Sequence, residues 1–295
     1  MNILITGSSG LIGTHLLDVL TSSGHKVLRM LRSHPDKQPF YWDPSAGIIK
    51  LDDSIVIDAV INLAGPGIAD GRWSEKRKKL IRDSRVKGTR LLSDTLAAMH
   101  NRPKVFISGS AIGYYGDTGD QVVDEYSGPG SGFLADVAQH WEEAARTASD
   151  AGIRTVNIRT GVVLSPEGGM LNKLLLPFKM GLGGIIGSGQ QYLSWVSLNE
   201  VVSMIHFILE NESIAGPVNL VSKQPVTNYT FTKTLGSILK RPTLIALPAY
   251  AVKLVFGEMG EELLLSGTRV QPKRLIEGDY KFKDVDLKAS LASFL

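Results

Sequence analysis

The sequence predicts a doubly wound α/β protein: an open parallel sheet covered by helices on both faces, followed by a smaller, mostly helical C-terminal lobe. Apolar runs of strand length alternate with longer amphipathic stretches, as βαβ units require. Those strand runs are continuously apolar, which fits strands buried on both faces. After Leu164 the alternation gives way to glycine and proline clusters, marking the change to a second lobe. In order, Asn2–Thr6 reads as the first strand, Leu11–Ser23 as a helix and Lys26–Met30 as the second strand. Ala59–Leu63, Lys104–Ser108 and Arg154–Ile158 read as further strands with helical patterns between them. Ser165-Pro166-Glu167-Gly168-Gly169 breaks the pattern, and the glycine-dense stretch from Gly181 to Gly189 suits either a lid over a substrate or a plain surface loop. Prolines at 217, 225, 242, 248 and 272 then separate helical patterns such as Asn228–Leu239 and Glu258–Leu265. The expected division assigns residues 1–165 with about 195–222 to the sheet domain, and 166–194 with 223–295 to the smaller lobe.

Composition narrows the class. With 295 residues, 43% hydrophobic and 21% charged, the chain can bury a large core. Thirty-two basic against 29 acidic residues leave a net charge of +3, too small and too evenly spread for a nucleic-acid surface. The absence of cysteine excludes disulfides, thiolate nucleophiles and Cys-ligated zinc, and the six histidines show no metal-ligand spacing, so no metal is expected. The start, Met1-Asn2-Ile3-Leu4-Ile5, lacks the pattern of a secretory leader, and the apolar stretch from Leu244 to Phe256 is too short and too interrupted to span a bilayer. A cytoplasmic protein without membrane contact is expected, and a homodimer is left open.

The first strand runs straight into Thr6-Gly7-Ser8-Ser9-Gly10-Leu11-Ile12-Gly13, and helical periodicity follows. A glycine triplet alone is weak evidence; between a strand and a helix it is the fingerprint of a Rossmann dinucleotide site. Gly7 permits the tight turn, Gly10 lets a pyrophosphate approach the backbone, and Gly13 lets helix and strand pack closely. The end of the second strand selects the dinucleotide. A carboxylate there would bond a ribose 2′-hydroxyl, but Arg29-Met30-Leu31-Arg32 offers none, and Arg32 suits a 2′-phosphate. NADP is therefore expected over NAD.

Further segments carry a resemblance. Asp58-Ala59-Val60-Ile61-Asn62-Leu63-Ala64-Gly65 is similar to the strand and turn beside the adenosine in short-chain dehydrogenase/reductases. Together with Gly71-Arg72-Trp73, Asp83-Ser84-Arg85, Ser110 to Gly116, Trp141-Glu142, Arg159 to Leu164, Gly187-Ser188-Gly189 and Ser194-Trp195, it resembles an atypical extended branch. That branch, in the NAD-dependent epimerase/dehydratase superfamily, is labelled epimerase family protein. Gly257-Glu258, Leu263-Leu264-Leu265 and Pro272 resemble the small C-terminal domain of unknown function that closes those proteins. The resemblance implies pyrophosphate contacts from Gly7, Ser9, Gly10, Leu11, Ile12 and Gly13, and a 2′-phosphate contact from Arg32. It further implies adenosine contacts from Leu63, Ala64 and Gly65, then Arg85 on the next helix, with Val162 and Val163 near a nicotinamide.

The superfamily's proton chemistry needs a Tyr and a Lys four residues apart on one helix, with a Ser or Thr nearby. Here Phe133, Val137 and Ala111 fall at those positions, and none can move a proton. Tyr114, Tyr115, Ser110 and Glu142 are the alternative acid-base candidates. The tyrosines equally suit packing, Ser110 a backbone hydrogen bond and Glu142 a solvated helix face. The basic run Arg72, Lys76, Arg77, Lys78, Lys79 and Arg82 reads either as a greeting for an anionic substrate or as a solvated face. Trp73 and Trp195, and more weakly Trp42, read either as pocket walls or as core. Two functions remain open: an NADP-dependent oxidoreductase or epimerase-like enzyme acting on an unidentified small molecule in the cleft between the lobes, or a non-catalytic NADP-binding sensor.

Overall fold

Six parallel strands build the central sheet of the computed structural model, which describes residues 1–32, 39–52 and 54–295. They are β1 (Asn2–Thr6), β2 (Lys26–Met30), β3 (Ala59–Asn62), β4 (Val105–Ala111), β5 (Arg154–Thr160) and β6 (Gly216–Leu220). Their order across the sheet is β2-β1-β3-β4-β5-β6. Beyond β2, among the described residues, the sheet is extended by one parallel bridge between Leu31 and Tyr41, after which Tyr41–Asp43 folds back against Ile48–Lys50. His34 lies outside the described residues.

The strand period of two divides the core. Ile3, Ile5, Ile61, Ile107 and Ile158 face one side, where Leu16 and Leu20 of α1 (Leu11–Ser22) and later helices cover them. Leu4, Val60 and Phe106 face the other, against Leu92 and Leu96 of α2 (Glu75–Ala98). The doubly wound arrangement follows from that two-sided burial. The face occupied by α2 also carries α3 (Phe133–Ala144). α4 (Gly169–Lys179) contributes Leu171 and Phe178 to a second hydrophobic cluster with Trp195, Phe231, Leu235, Leu287 and Leu291. α5 (Leu198–Glu210) packs against α1, while α6 (Asn228–Leu239) and α7 (Leu287–Phe294) pack in that second cluster.

Four helix starts carry a side-chain cap. Ser74, Ser197, Thr227 and Asp286 each accept a backbone N–H of the helix they precede. Two buried carboxylates bind the C-terminal tail to the sheet domain. Glu200, on α5, accepts from the Tyr280 hydroxyl at 2.5 Å and from the Lys283 and Asp284 N–H groups at 3.0 and 2.7 Å. Glu125 accepts the Lys273 and Asn219 N–H groups at 3.0 and 2.9 Å.

The structure bears on two readings the sequence leaves open. The stretch around Gly181 to Gly189 is tied down: Gly184–Ile186 pairs with Ile245–Leu247, and Ile186 donates to Asn228. Trp195 is fully buried in the lobe core and Trp42 in the main core, so neither walls a pocket. Aromatic residues answer both readings in sequence, and burial decides between them.

Candidate functional site

Because β2 lies on one side of β1 and β3 on the other, the winding direction reverses between β1 and β3, which opens a crevice at the C-terminal edge of the sheet. Both turns that border it are held by glycine and by a buried polar chain. Gly7 has φ of +70°, and a Cβ there would lie 2.6 Å from the Leu63 carbonyl carbon. The first turn therefore presses directly on Leu63-Ala64. Thr6 Oγ1 donates to Asn62 Oδ1 at 2.6 Å, while Asn62 Nδ2 and Trp141 Nε1 both donate to Thr89 Oγ1 at 2.8 Å. That chain links β1, β3, α2 and α3 beneath the crevice.

The other two glycines differ. A Cβ on Gly13 would meet the Gly7 carbonyl oxygen at 2.2 Å, so the fold itself demands glycine there. A Cβ on Gly10 would meet only that same oxygen, at 3.3 Å, and Gly10 has φ of −80°, which any residue adopts. Gly10 caps α1 without a side-chain hydrogen bond, and the first turn of α1 has no acidic residue. The result is a helix start with unpaired N–H groups, a positive dipole end and open space above its cap. Ser9 is exposed there, and Leu11 and Ile12 are half-buried.

Arginines flank the crevice. Arg29 Nε donates to the Ser8 hydroxyl at 3.0 Å, which sets that guanidinium beside the glycine turn. Arg32 is exposed at the end of β2, near enough to contribute to lowering the pKa of Asp43, whose larger cause is the Ser45 hydroxyl bond. On α2, Arg85 donates to the Pro66 and Ile81 carbonyl oxygens at 3.0 and 3.1 Å, and its guanidinium carbon lies 5.1 Å from the Trp141 ring centroid. Burial, with repulsion from Arg77, lowers its pKa to about 10. Arg85 stays protonated at pH 7 beside Gly65, with carbonyl oxygens as its hydrogen-bond partners.

The acid-base candidates converge on Arg159, an arginine in the middle of a buried strand. Its Nε and Nη2 donate to the Glu142 carboxylate at 2.7 and 2.9 Å, and its Nη1 donates to the Tyr115 hydroxyl at 2.9 Å. Ser110 donates to the same carboxylate at 2.7 Å, and Tyr115 passes its own proton to Asn219 Oδ1 at 2.8 Å. The Tyr114 ring stacks 3.5 Å from the guanidinium carbon. Burial disfavours the Arg159 charge, but the Glu142 and Tyr115 bonds outweigh it and raise its pKa. Burial likewise pushes the Tyr115 phenol up to about 12 despite Arg159, so it is fully protonated at neutral pH. Ser110, Tyr115 and Glu142 thus spend their polar atoms within one network that also includes Arg159 and Asn219. Tyr114 is half-exposed and lines an open groove of about 750 Å³ with Glu142 and Asn157.

Phe133 and Val137, which the sequence reading places where a Tyr–Lys pair would lie, both sit on α3. Phe133 packs edge-on against Trp73 with centroids 5.0 Å apart, Lys78 Nζ stands 4.9 Å over its ring, and Val137 is buried. The start of α3 is capped by Glu262 from the C-terminal tail, which accepts the Phe133 and Leu134 N–H groups at 2.7 and 2.9 Å. Lys78 pairs with Glu258 at 3.0 Å and Arg82 with Asp136 at 3.2 Å, so part of the basic run is neutralised within the chain. Val162 and Val163 lie in a short strand, Val162–Ser165, that leaves the end of β5 and pairs with Trp195–Ser197.

A parallel sheet that reverses its winding beside a glycine turn at the end of its first strand defines a Rossmann-type fold. The profile of the NAD dependent epimerase/dehydratase family matches residues 3–220, and that of a domain of unknown function, DUF1731, matches residues 247–294. The chain is 43% identical over 281 residues to the epimerase family protein Mb2239 of Mycobacterium bovis, covering 95% of this chain and 93% of that one. It is 36% identical to the epimerase family protein YfhF of Bacillus subtilis over 301 residues, covering 100% and 98%. The crystal structure of human epimerase family protein SDR39U1 with NADPH superposes with a TM-score of 0.90 at 33% identity, covering 100% and 99%. The chain belongs to the NAD dependent epimerase/dehydratase family, in the branch that carries the DUF1731 domain. Among the described residues, no helix is long and apolar enough to cross a membrane.

Proposed function

We propose that the chain binds NADP(H) in the β1/β3 crevice and acts on a small molecule held between the sheet domain (residues 1–165 and about 195–222) and the smaller lobe (166–194 and 223–295). The observation that carries the reading is the contrast between Gly13, which the fold requires, and Gly10, whose missing side chain leaves space above uncapped N–H groups. Gly7, Ser9, Gly10, Leu11, Ile12 and Gly13 would hold the pyrophosphate, and Leu63, Ala64 and Gly65 the adenosine. Arg32 would take the 2′-phosphate. Arg85, a part-buried cation whose hydrogen bonds go to carbonyls, gains most from an anionic neighbour. The NADPH in the crystal structure of the human relative supports this choice of dinucleotide. Val162 and Val163 would border the nicotinamide, which supplies hydride transfer when bound; the chain supplies orientation and the exclusion of water.

Titration calorimetry with NADPH and NADH tests the reading. Arg32→Ala is expected to weaken NADPH binding by about 10- to 100-fold, the loss of one or two charge-assisted hydrogen bonds, and to leave NADH unchanged. No binding of either nucleotide to the parent chain would overturn the proposal.

For the acid or base, Tyr114 is the remaining candidate, since Ser110 and Tyr115 already donate to neighbours. A second reading, a non-catalytic NADP sensor, is favoured by Phe133 and Val137 at the positions of the missing pair. The two readings separate in a screen of ketones, aldehydes and nucleotide sugars for NADPH consumption. Under the first reading, Tyr114→Phe lowers the rate by about 100-fold or more at unchanged NADPH affinity. An inert screen with tight NADPH binding supports the sensor.

A further inference from the structure

At the edge of the sheet opposite the glycine turn, where strands begin, three ligating side chains meet from distant parts of the chain. His25 lies in the turn between α1 and β2, and His206 and Glu210 lie one helical turn apart at the end of α5. One ligating atom from each of the three comes within 4.8 Å of the other two. The imidazole centroids are 5.9 Å apart, and His206 Nε2 is 3.6 Å from the Glu210 carboxylate. Sequence spacing gives no sign of this group, because 181 positions separate the two histidines and only the packing of α5 beside α1 joins them.

Both Nε2 atoms are buried and lack a hydrogen-bond partner. Buried imidazole nitrogens without partners are rare, and they call for a ligand the side chains do not themselves provide. A neutral imidazole is the form that binds a metal. His25 Nδ1 meets the Met1 amine at 3.4 Å in an exposed, long contact.

We propose that His25, His206 and Glu210 form a divalent transition-metal site of the zinc class that staples the end of α5 to the start of β2. Two imidazoles and one carboxylate are a three-ligand set for zinc, with a fourth position left to water. Tetrahedral bonds of about 2.1 Å place ligand atoms about 3.4 Å apart, so the three ligand atoms, within 4.8 Å of one another here, draw together by roughly an ångström on binding. With a strand rise of about 3.3 Å per residue, the five-residue β1 separates this site from the glycine turn. Its role is therefore structural and independent of the nucleotide.

The test uses the full-length chain, free of any histidine tag and stripped with chelator, titrated with zinc chloride by calorimetry. The expected result is one zinc per chain at micromolar affinity and a higher Tm. His25→Gln and His206→Gln should each weaken zinc binding at least about tenfold while NADPH binding is unchanged. Cobalt(II) added to the parent chain should give the visible absorption of a four-coordinate nitrogen–oxygen site, absent from both variants. Failure to bind zinc below millimolar concentration, or binding that survives in both variants, overturns the site.

Discussion

Replacing Arg159 by alanine is expected to remove about 3–5 kcal/mol of folding stability. The side chains of Arg159 and Glu142 are 3% and 13% exposed, so the pair is largely shielded from water. Removing the cation leaves the Glu142 carboxylate with the Ser110 hydroxyl as its remaining hydrogen-bond partner, and leaves the Tyr115 hydroxyl without a donor. An uncompensated buried charge costs more than the intact pair contributes, so the damage depends on what remains. The double variant Arg159→Met with Glu142→Gln removes both charges and should therefore recover much of the loss. Urea denaturation measures both: a loss under about 1 kcal/mol for Arg159→Ala would mean that water reaches the pair. Tyr114, stacked on the guanidinium, loses its support in the same variant, so the groove it lines should change shape along with stability.

That cluster also marks where sequence reading stops. The first strand, α1 and the glycine turn are legible because their signals are local: a strand period, a helix period and three glycines within seven residues. The Arg159 cluster joins Ser110, Tyr115, Glu142 and Asn219, which only the order β4-β5-β6 brings together. A local hint did exist. An arginine in the apolar run around Val156 and Ile158 must find a partner, and a carboxylate on a facing helix is the natural one. The cap on α3 left no such hint, since Glu262 lies 129 positions after Phe133. The basic run was ambiguous for the same reason: Glu258, which neutralises Lys78, is 180 residues away. Contacts that a sheet or a returning tail creates are set by topology, and periodicity carries no record of them.

Within the glycine turn the same distinction separates fold from function. Gly13→Ala places a methyl 2.2 Å from the Gly7 carbonyl oxygen, a backbone atom that can move only by shifting β1 or α1. A loss of about 1–3 kcal/mol in stability is expected, with nucleotide binding falling as the turn distorts. Gly10→Ala meets the same oxygen at 3.3 Å, with a backbone conformation open to alanine, so stability should change by less than about 1 kcal/mol. If a pyrophosphate lies over the start of α1, however, the methyl occupies the space it needs, and NADPH affinity should fall by about 10- to 100-fold. Thermal melts and calorimetry on the two variants would then give opposite patterns: Gly13→Ala loses folding first, and Gly10→Ala loses the ligand alone. A Gly10→Ala chain that keeps full NADPH affinity would remove the nucleotide from this turn. In that case the open space above Gly10 would have no assigned occupant, while the requirement for Gly13 would stand, because it comes from contacts inside the fold.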